Sequence, residues 1–293
     1  MSMLTETMIE DVTVNLLRRA ETELPNDIVT ALKKAYESES SEIPKTQLKN
    51  ILDNIQLAKD TKIPMCQDTG IQIFFIWLPI NSCDLSPFQL TKAITHGVSR
   101  ATSEIPLRPN TVHPLTRTNA GDNTGLHMPY LNFKSSENEY LEIAVLPKGA
   151  GSENMSALKM LTPAHGIKGI KQFVLDTLVH ASGKPCPPII LGIGIGGSAD
   201  ISMKLAKEAL LRPINIRNTN SQIAELEEEL YQTLNGIGIG PMGLGGKTSL
   251  LGINIEYGHC HTASHPVAIN VQCWAARRAR AKIYPDGKIE YGY

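Results

Sequence analysis

Three stretches of this 293-residue chain carry side chains whose types and spacing could do chemistry. The first, "IPMCQDTGIQ" from Ile63 to Gln72, sets a thiol beside an amide and a carboxylate, between a proline and a turn glycine. A thiolate is a nucleophile and a metal ligand, and a carboxylate moves protons. Taken alone, Cys66 reads better as a small buried hydrophobe beside two solvated turn residues. The second stretch, "GKPCPPII", holds Cys186 between Pro185 and Pro187, whose rings fix the local backbone and remove competing N–H donors. The third, "GHCHTASHPVAINVQCWAARR" from Gly258 to Arg278, contains three of the eight histidines and two of the five cysteines. His259, Cys260, His261 and His265 are all zinc-competent, but their spacing fits no familiar structural site. Its "PVAINVQC" portion reads as a strand with Cys273 as a core thiol.

Two glycine patterns imitate nucleotide-binding motifs. Gly192, Gly194 and Gly197 satisfy G-x-G-x-x-G between a strand and a helix. The acidic ribose partner expected about 20 residues on is missing, since that region reads "LRPINIRNTN". "GPMGLGGKTS" resembles a phosphate loop, yet Pro241 stands where the first glycine is required, and an offset of one changes which N–H groups converge. Both clusters still require backbone to approach something closely.

The remaining composition sets bounds. A formal net charge of -1 gives no concentrated basic surface for a nucleic acid or an anionic membrane. An anionic substrate must be held by a few placed cations. No apolar run approaches the roughly 20 residues that cross a bilayer, and "MSMLTETMIEDVTVNLLRRA" is acidic where a secretory leader is basic, so a cytoplasmic protein is expected. Five cysteines, an odd number at wide spacings without a C-x-x-C pair, argue against a disulfide framework or a zinc ribbon. Any metal site must gather ligands from remote parts of the fold.

Those remote parts are positioned by alternating elements. Helical periodicity runs through a layer over about residues 1–60, followed by a strand in "IQIFFIWLPI" and a helix over Ser86 to Thr102. The aperiodic stretch from Ile105 to Gly125 is of a length that in a compact domain is either functional or disordered. Strands are predicted over Tyr130 to Phe133, Tyr140 to Leu146, Thr248 to Tyr257 and Pro266 to Gln272. Helices are predicted over Ile167 to His180 and Ala224 to Leu234, with a strand, glycine turn and helix in "PPIILGIGIGGSADISMKLAKEALL". A hairpin around Asp286-Gly287 closes the chain. The expectation is a single α/β (α+β) domain over 1–293, with mixed β-sheets surrounded by helices.

With "PLRPN" and "PKGAGSENMS" added, these motifs closely resemble the α subunit of class I, iron–sulfur-dependent fumarate hydratases, and more loosely that of L-tartrate dehydratases. The resemblance covers essentially the whole chain and implies the fold of that family's N-terminal domain. It implies a [4Fe-4S] cluster held by Cys66, Cys186 and Cys273, with Cys83 and Cys260 as ordinary thiols. Three protein thiolates leave the fourth iron open as a Lewis acid for a substrate oxygen, so reversible hydration of fumarate to malate is the activity implied. Asp68 would act as acid or base, aided by His261; Gln67 and Arg108 would bind the dicarboxylate; and Gly151 would offer backbone N–H groups, with Ala150 where glycine is expected. In single-chain relatives a C-terminal domain supplies the hydroxyl base. Here a separate β subunit is expected to do so, in a dimer of αβ pairs, with the glycine loops, Lys247 and part of the 105–125 loop as interface candidates. Two alternatives stand beside this: an L-tartrate dehydratase α subunit, and a non-catalytic iron–sulfur regulatory subunit.

Overall fold

The computed structural model describes residues 4–80 and 85–293, so Cys83 lies outside the described residues. The chain begins with helices α1 (Glu6–Thr22), α2 (Asn26–Ser38) and α3 (Glu42–Thr61), then strand β1 (Ile71–Leu78), α4 (Pro87–Glu104), β2 (Tyr130–Ser135) and β3 (Leu141–Lys148). It continues through α5 (Ala150–Glu153), β4 (Ala157–Leu161), α6 (Gly166–Ala181), β5 (Ile189–Gly196), α7 (Ala199–Ala209) and α8 (Ser221–Asn235). Strands β6 (Leu250–Gly258), β7 (His265–Gln272), β8 (Ala279–Ile283) and β9 (Ile289–Gly292) complete it. The α/β class with two mixed sheets is as the sequence leads one to expect. Among the described residues no helix is long and apolar enough to cross a membrane.

The chain divides into two compact units, the first formed by Met1–Pro25, Asn54–Gly149 and Arg277–Tyr293, the second by Asn26–Asp53 and Ala150–Ala276. In the first, the sheet order is β2-β1-β3-β8-β9; β1 and β2 are parallel and the other pairs antiparallel. Helix α1 starts where the Thr5 side chain accepts the Met8 N–H, satisfying a donor that the first turn leaves free. A capping box between Ser86 and Gln89, with Pro87 in the first turn, starts α4. The periodic residues Ile9, Val12, Leu16 and Leu17 of α1 join Leu90, Ile94 and Val98 of α4 over Phe74, Ile76, Ile143 and Val145 of the sheet. Each such side chain contributes about 1.5–3 kcal/mol by leaving water, which is what keeps these helices in place.

The second unit is built on the sheet β4-β7-β5-β6, in which β5 runs parallel to β6 and antiparallel to β7. Its core joins Ile170, Phe173 and Val174 of α6 and Leu226, Leu230 and Leu234 of α8 to Leu191, Ile193, Ile253, Ile255 and Ile269 of the sheet. Here the glycine patterns find their use. A Cβ on Gly192 would lie 2.1 Å from the Ala206 carbonyl oxygen, and one on Gly194 would lie 2.0 Å from that of Ser202. The G-x-G spacing therefore clears one face of β5 so that α7 can lie directly on it, as period-two alternation allows. Lys247, in the imitation phosphate loop, donates from Nζ to the Ser38 carbonyl at 2.8 Å, at the end of α2 where a cation is favourable.

Strand β4 and the single turn α5 fall where periodicity predicts no strand or helix. β4 is an edge strand whose Leu158, Lys159 and Met160 are all exposed, so it lacks the alternation that marks a half-buried strand. Because the contact is with backbone, Gly194→Ala should cost about 1–3 kcal/mol of stability through overpacking against α7. Urea unfolding reads this directly, and an unchanged midpoint would contradict the packing role.

Candidate active site

In the first unit the segment after α3 carries Cys66, Gln67 and Asp68. Cys66 and Asp68 are half-buried and Gln67 is exposed. Gly70 makes the return possible: its φ is +73°, and a Cβ would lie 2.7 Å from the Lys148 carbonyl carbon. Only glycine accommodates both the left-handed backbone and that approach. Asp68 Oδ1 accepts the Gly70 N–H at 3.0 Å. Asn110 Nδ2 donates to Thr69 Oγ1 and to the Gly70 carbonyl, both at 3.2 Å, and lies 3.5 Å from Asp68 Oδ1. The Arg108 loop is tied to the same segment, because its carbonyl accepts from Thr69 Oγ1 and from Asn123 Nδ2, each at 3.1 Å. Buried Asn123 also accepts the Asn110 N–H at 2.6 Å. The Arg108 guanidinium is exposed and has no carboxylate partner among the described residues. Beneath this loop Arg277 Nη1 donates to Glu21 Oε2 at 2.7 Å and to the Asp68 carbonyl at 2.8 Å, and Glu21 and Arg277 are both fully buried.

In the second unit the sheet register gathers two of the three expected thiols. Ile190 pairs with Gln272 in the antiparallel β5–β7 ladder, so the residues before β5 and those after β7 share one end of the sheet. There the Trp274 N–H donates to the Cys186 carbonyl at 3.2 Å. Cys186 has φ +55°, a left-handed conformation that costs a non-glycine residue about 1–3 kcal/mol and collects at functional sites. Cys186 and Cys273 are half-buried, and no described cysteine is in a disulfide. Gly151 is exposed in α5, where first-turn N–H groups lack intrahelical acceptors. That turn is anchored by Glu153, which accepts from Lys207 Nζ at 2.6 Å and from Asn270 Nδ2 at 3.0 Å.

His261 is placed differently. It lies in the exposed connection from β6 to β7, at the Gly196 end of β5, where the Gly197 N–H donates to the His259 carbonyl. Cys186 and Cys273 are at the other end, the length of an eight-residue strand away, about 25 Å. His261 Nδ1 accepts the Ala263 N–H at 3.1 Å, which leaves the neutral ring's proton on Nε2. Among the described residues no three His, Cys, Asp or Glu side chains converge as ligands of a metal ion would. The thiol of Cys260 turns instead to the Ser264 carbonyl, at 3.3 Å.

Sequence reasoning missed Glu21, Asn110, Asn123 and Arg277. Asn110 and Arg277 lie inside quoted motifs, "PLRPN" and "CWAARR", so proximity to a candidate residue was the available signal. Asn123 is marked only by its place in the long aperiodic stretch, and Glu21 carries no signal, because its partner Arg277 is 256 positions away.

The described groups include a carboxylate that can move a proton, Asp68, an exposed cation that can meet an anion, Arg108, and unbridged thiols that can ligate a metal. The fumarate hydratase (Fumerase) family profile matches residues 10–282. A protein of Methanocaldococcus jannaschii named "Putative L(+)-tartrate dehydratase subunit alpha" is 53% identical over 283 residues, 96% of this chain and 99% of that protein. The L(+)-tartrate dehydratase subunit alpha of Escherichia coli K12 is 34% identical over 283 residues, 96% of this chain and 93% of its own length. The chain belongs to the fumarate hydratase family, a family of hydro-lyases.

Burial pushes the Glu21 carboxyl up to about 7, outweighing the Arg277 guanidinium, and the Asp68 charge adds to the rise. A carboxyl raised from the ordinary 4.5 to about 7 binds its proton more tightly in the folded state. Its contribution to stability is therefore full below 4.5 and is lost as the pH climbs through about 7. Glu21→Gln cannot titrate, so its stability relative to wild type should rise with pH across that window. Urea midpoints at several pH values check this; parallel curves for the two proteins would contradict it.

Proposed function

We propose that the chain is the α subunit of an iron–sulfur hydro-lyase that reversibly dehydrates a small hydroxy-dicarboxylate, with L-tartrate as the first substrate to test. The observation that carries the chemistry is the meeting of the Cys186 and Cys273 loops at one end of the second unit's sheet. The substrate order rests on the relatives: full-length counterparts carry tartrate dehydratase names. This favours tartrate over the fumarate-first order that the family resemblance implies. The malate–fumarate pair remains the second reading because the family profile bears that enzyme's name. Both relatives are named as α subunits, which supports a separate β subunit; that this subunit completes the site, in a dimer of αβ pairs, is part of the proposal. Unbridged cysteines fit a reducing, cytoplasmic setting.

The donor set suits a [4Fe-4S] cluster. Cys66, Cys186 and Cys273 are unbridged and half-buried, and thiolates that each bind a different iron need not converge as the ligands of one ion do. Bound there, the cluster would supply a Lewis-acidic iron with an open coordination position. Asp68, its Oδ1 fixed by the Gly70 N–H, holds or releases the proton of the departing or attacking water. The exposed Arg108 guanidinium presents a donor fork to one substrate carboxylate, and Gln67 offers an amide beside it. The Gly151 N–H is a further donor for the anion. His261 lies a strand's length from Cys186 and Cys273, and a second copy of the chain in the proposed dimer would present it to the site.

The test is anaerobic co-purification with the β subunit, followed by assays on L-tartrate and on the malate–fumarate pair. Turnover of tartrate is expected to exceed that of malate. Asp68→Asn should retain iron while losing about 100-fold or more in kcat, the usual share of a positioned acid or base. Turnover of neither diacid would favour a regulatory subunit and overturn the enzymatic reading; wild-type rates in Asp68→Asn would remove that residue from the reaction.

A further inference from the structure

We propose that the buried Glu21–Arg277 pair is a positioning element that fixes the Cys66–Asp68 segment from beneath while touching no substrate itself. The proposal rests on the reading above for the roles of Cys66, Gln67 and Asp68, and extends it to residues no motif assigns.

The geometry is that of a staple. The Met65 N–H donates to the Glu21 carbonyl at 2.9 Å, and the Asp68 carbonyl accepts from Arg277 Nη1 at 2.8 Å. Arg277 Nη1 also donates to Glu21 Oε2 at 2.7 Å, so the Cys66-Gln67 dipeptide is held at one end by the Glu21 main chain and at the other by the Arg277 side chain, and the ion pair ties these two residues together. The Glu21 carbonyl is available because it lies in the last turn of α1, whose final carbonyls lack intrahelical donors. A Cβ on Gly149 would lie 3.0 Å from Asp68 Oδ2 and 3.4 Å from Arg277 Nη2, so the guanidinium reaches the same spot as the carboxylate assigned to proton transfer.

Stability is a poor reason for this pair. Charges with 0% and 1% side-chain exposure are heavily desolvated, and apolar residues of similar volume commonly serve a core as well or better. What apolar residues cannot do is direct a hydrogen bond at a loop carbonyl. Orientation at that loop matters greatly, since about 1 Å of misplacement can cost about 100-fold in rate.

The test uses hydrogen exchange on the full-length, metal-free chain, with kinetics on the complex containing the β subunit. The variants are Glu21→Gln, which keeps an acceptor for Arg277, and the double variant Glu21→Leu with Arg277→Met, which leaves no buried charge unpaired. In the double variant, amides of residues 65–70 should exchange about tenfold faster while those of β1 and β3 keep wild-type rates. Its kcat should fall by about tenfold or more with iron content retained, and Glu21→Gln should stay near wild type in both readouts. Unchanged exchange at 65–70, or an equal rise throughout the first unit, would overturn the positioning role. If the loop loosens as expected but the wild-type complex turns over neither diacid, the proposed function fails and the staple stands.

Discussion

The antiparallel register of β5 on β7 is the constraint on which the second unit's chemistry depends. Pairing Ile190 with Gln272 places a thiol before one strand and a thiol after the other at the same sheet end, 87 positions apart in sequence, and a backbone hydrogen bond from Trp274 to Cys186 secures the meeting. Register on a sheet buried on both faces is strongly specified, since a slip by one residue would invert every side chain. The same ladder carries His261 to the far end. Helix α7 lies against it only because alternate glycines leave the backbone of β5 bare.

The first unit solves a different problem, holding a short polar loop partly in water without letting it wander. Apolar packing cannot do that, because Gln67 is exposed and Cys66 and Asp68 are only half-buried. Directional bonds substitute for it. Asn110 spans Thr69 and Gly70, Asn123 ties the Arg108 carbonyl to the Asn110 N–H, and the Glu21–Arg277 pair holds the segment from below. Each neutral bond contributes about 0.5–1.5 kcal/mol, so several together outweigh the backbone entropy of ordering a few residues only when the surrounding helices and sheet are already fixed. The hydrophobic layer of α1, α4 and the sheet is thus a precondition for the loop.

Much of the fold was legible because burial imposes a period. The apolar stripes of α1 and α4 and the branched runs of β1, β5, β6 and β7 have one sound reading each, and the Asp286-Gly287 turn marks its hairpin. Edge strand β4 was not, since a strand exposed at Leu158, Lys159 and Met160 writes no alternation. The helical start was read correctly as helix, but α1 and α2 serve different units, which no local pattern states. At the site, cysteines, a charged turn and an arginine between prolines stood out by type and by family resemblance. Asn110, Asn123, Glu21 and Arg277 did not, because an ordinary polar residue gains its meaning from a partner outside its own local pattern, 13 positions away for Asn123 with Asn110 and 256 for Arg277 with Glu21. Nor could sequence proximity to Cys273 reveal that His261 occupies the opposite end of a strand.

The proposed function requires that Cys66, Cys186 and Cys273 serve one iron–sulfur cofactor while Cys260 does not. The most direct measurement is thiol alkylation of the full-length chain, read cysteine by cysteine by mass spectrometry before and after anaerobic reconstitution with iron and sulfide. If the cluster sits on those three thiols, they lose reactivity together and in step with sulfide uptake, with Cys260 still open to the reagent. Protection of Cys260, or a Cys66 that reacts as fast after reconstitution as before, would contradict it.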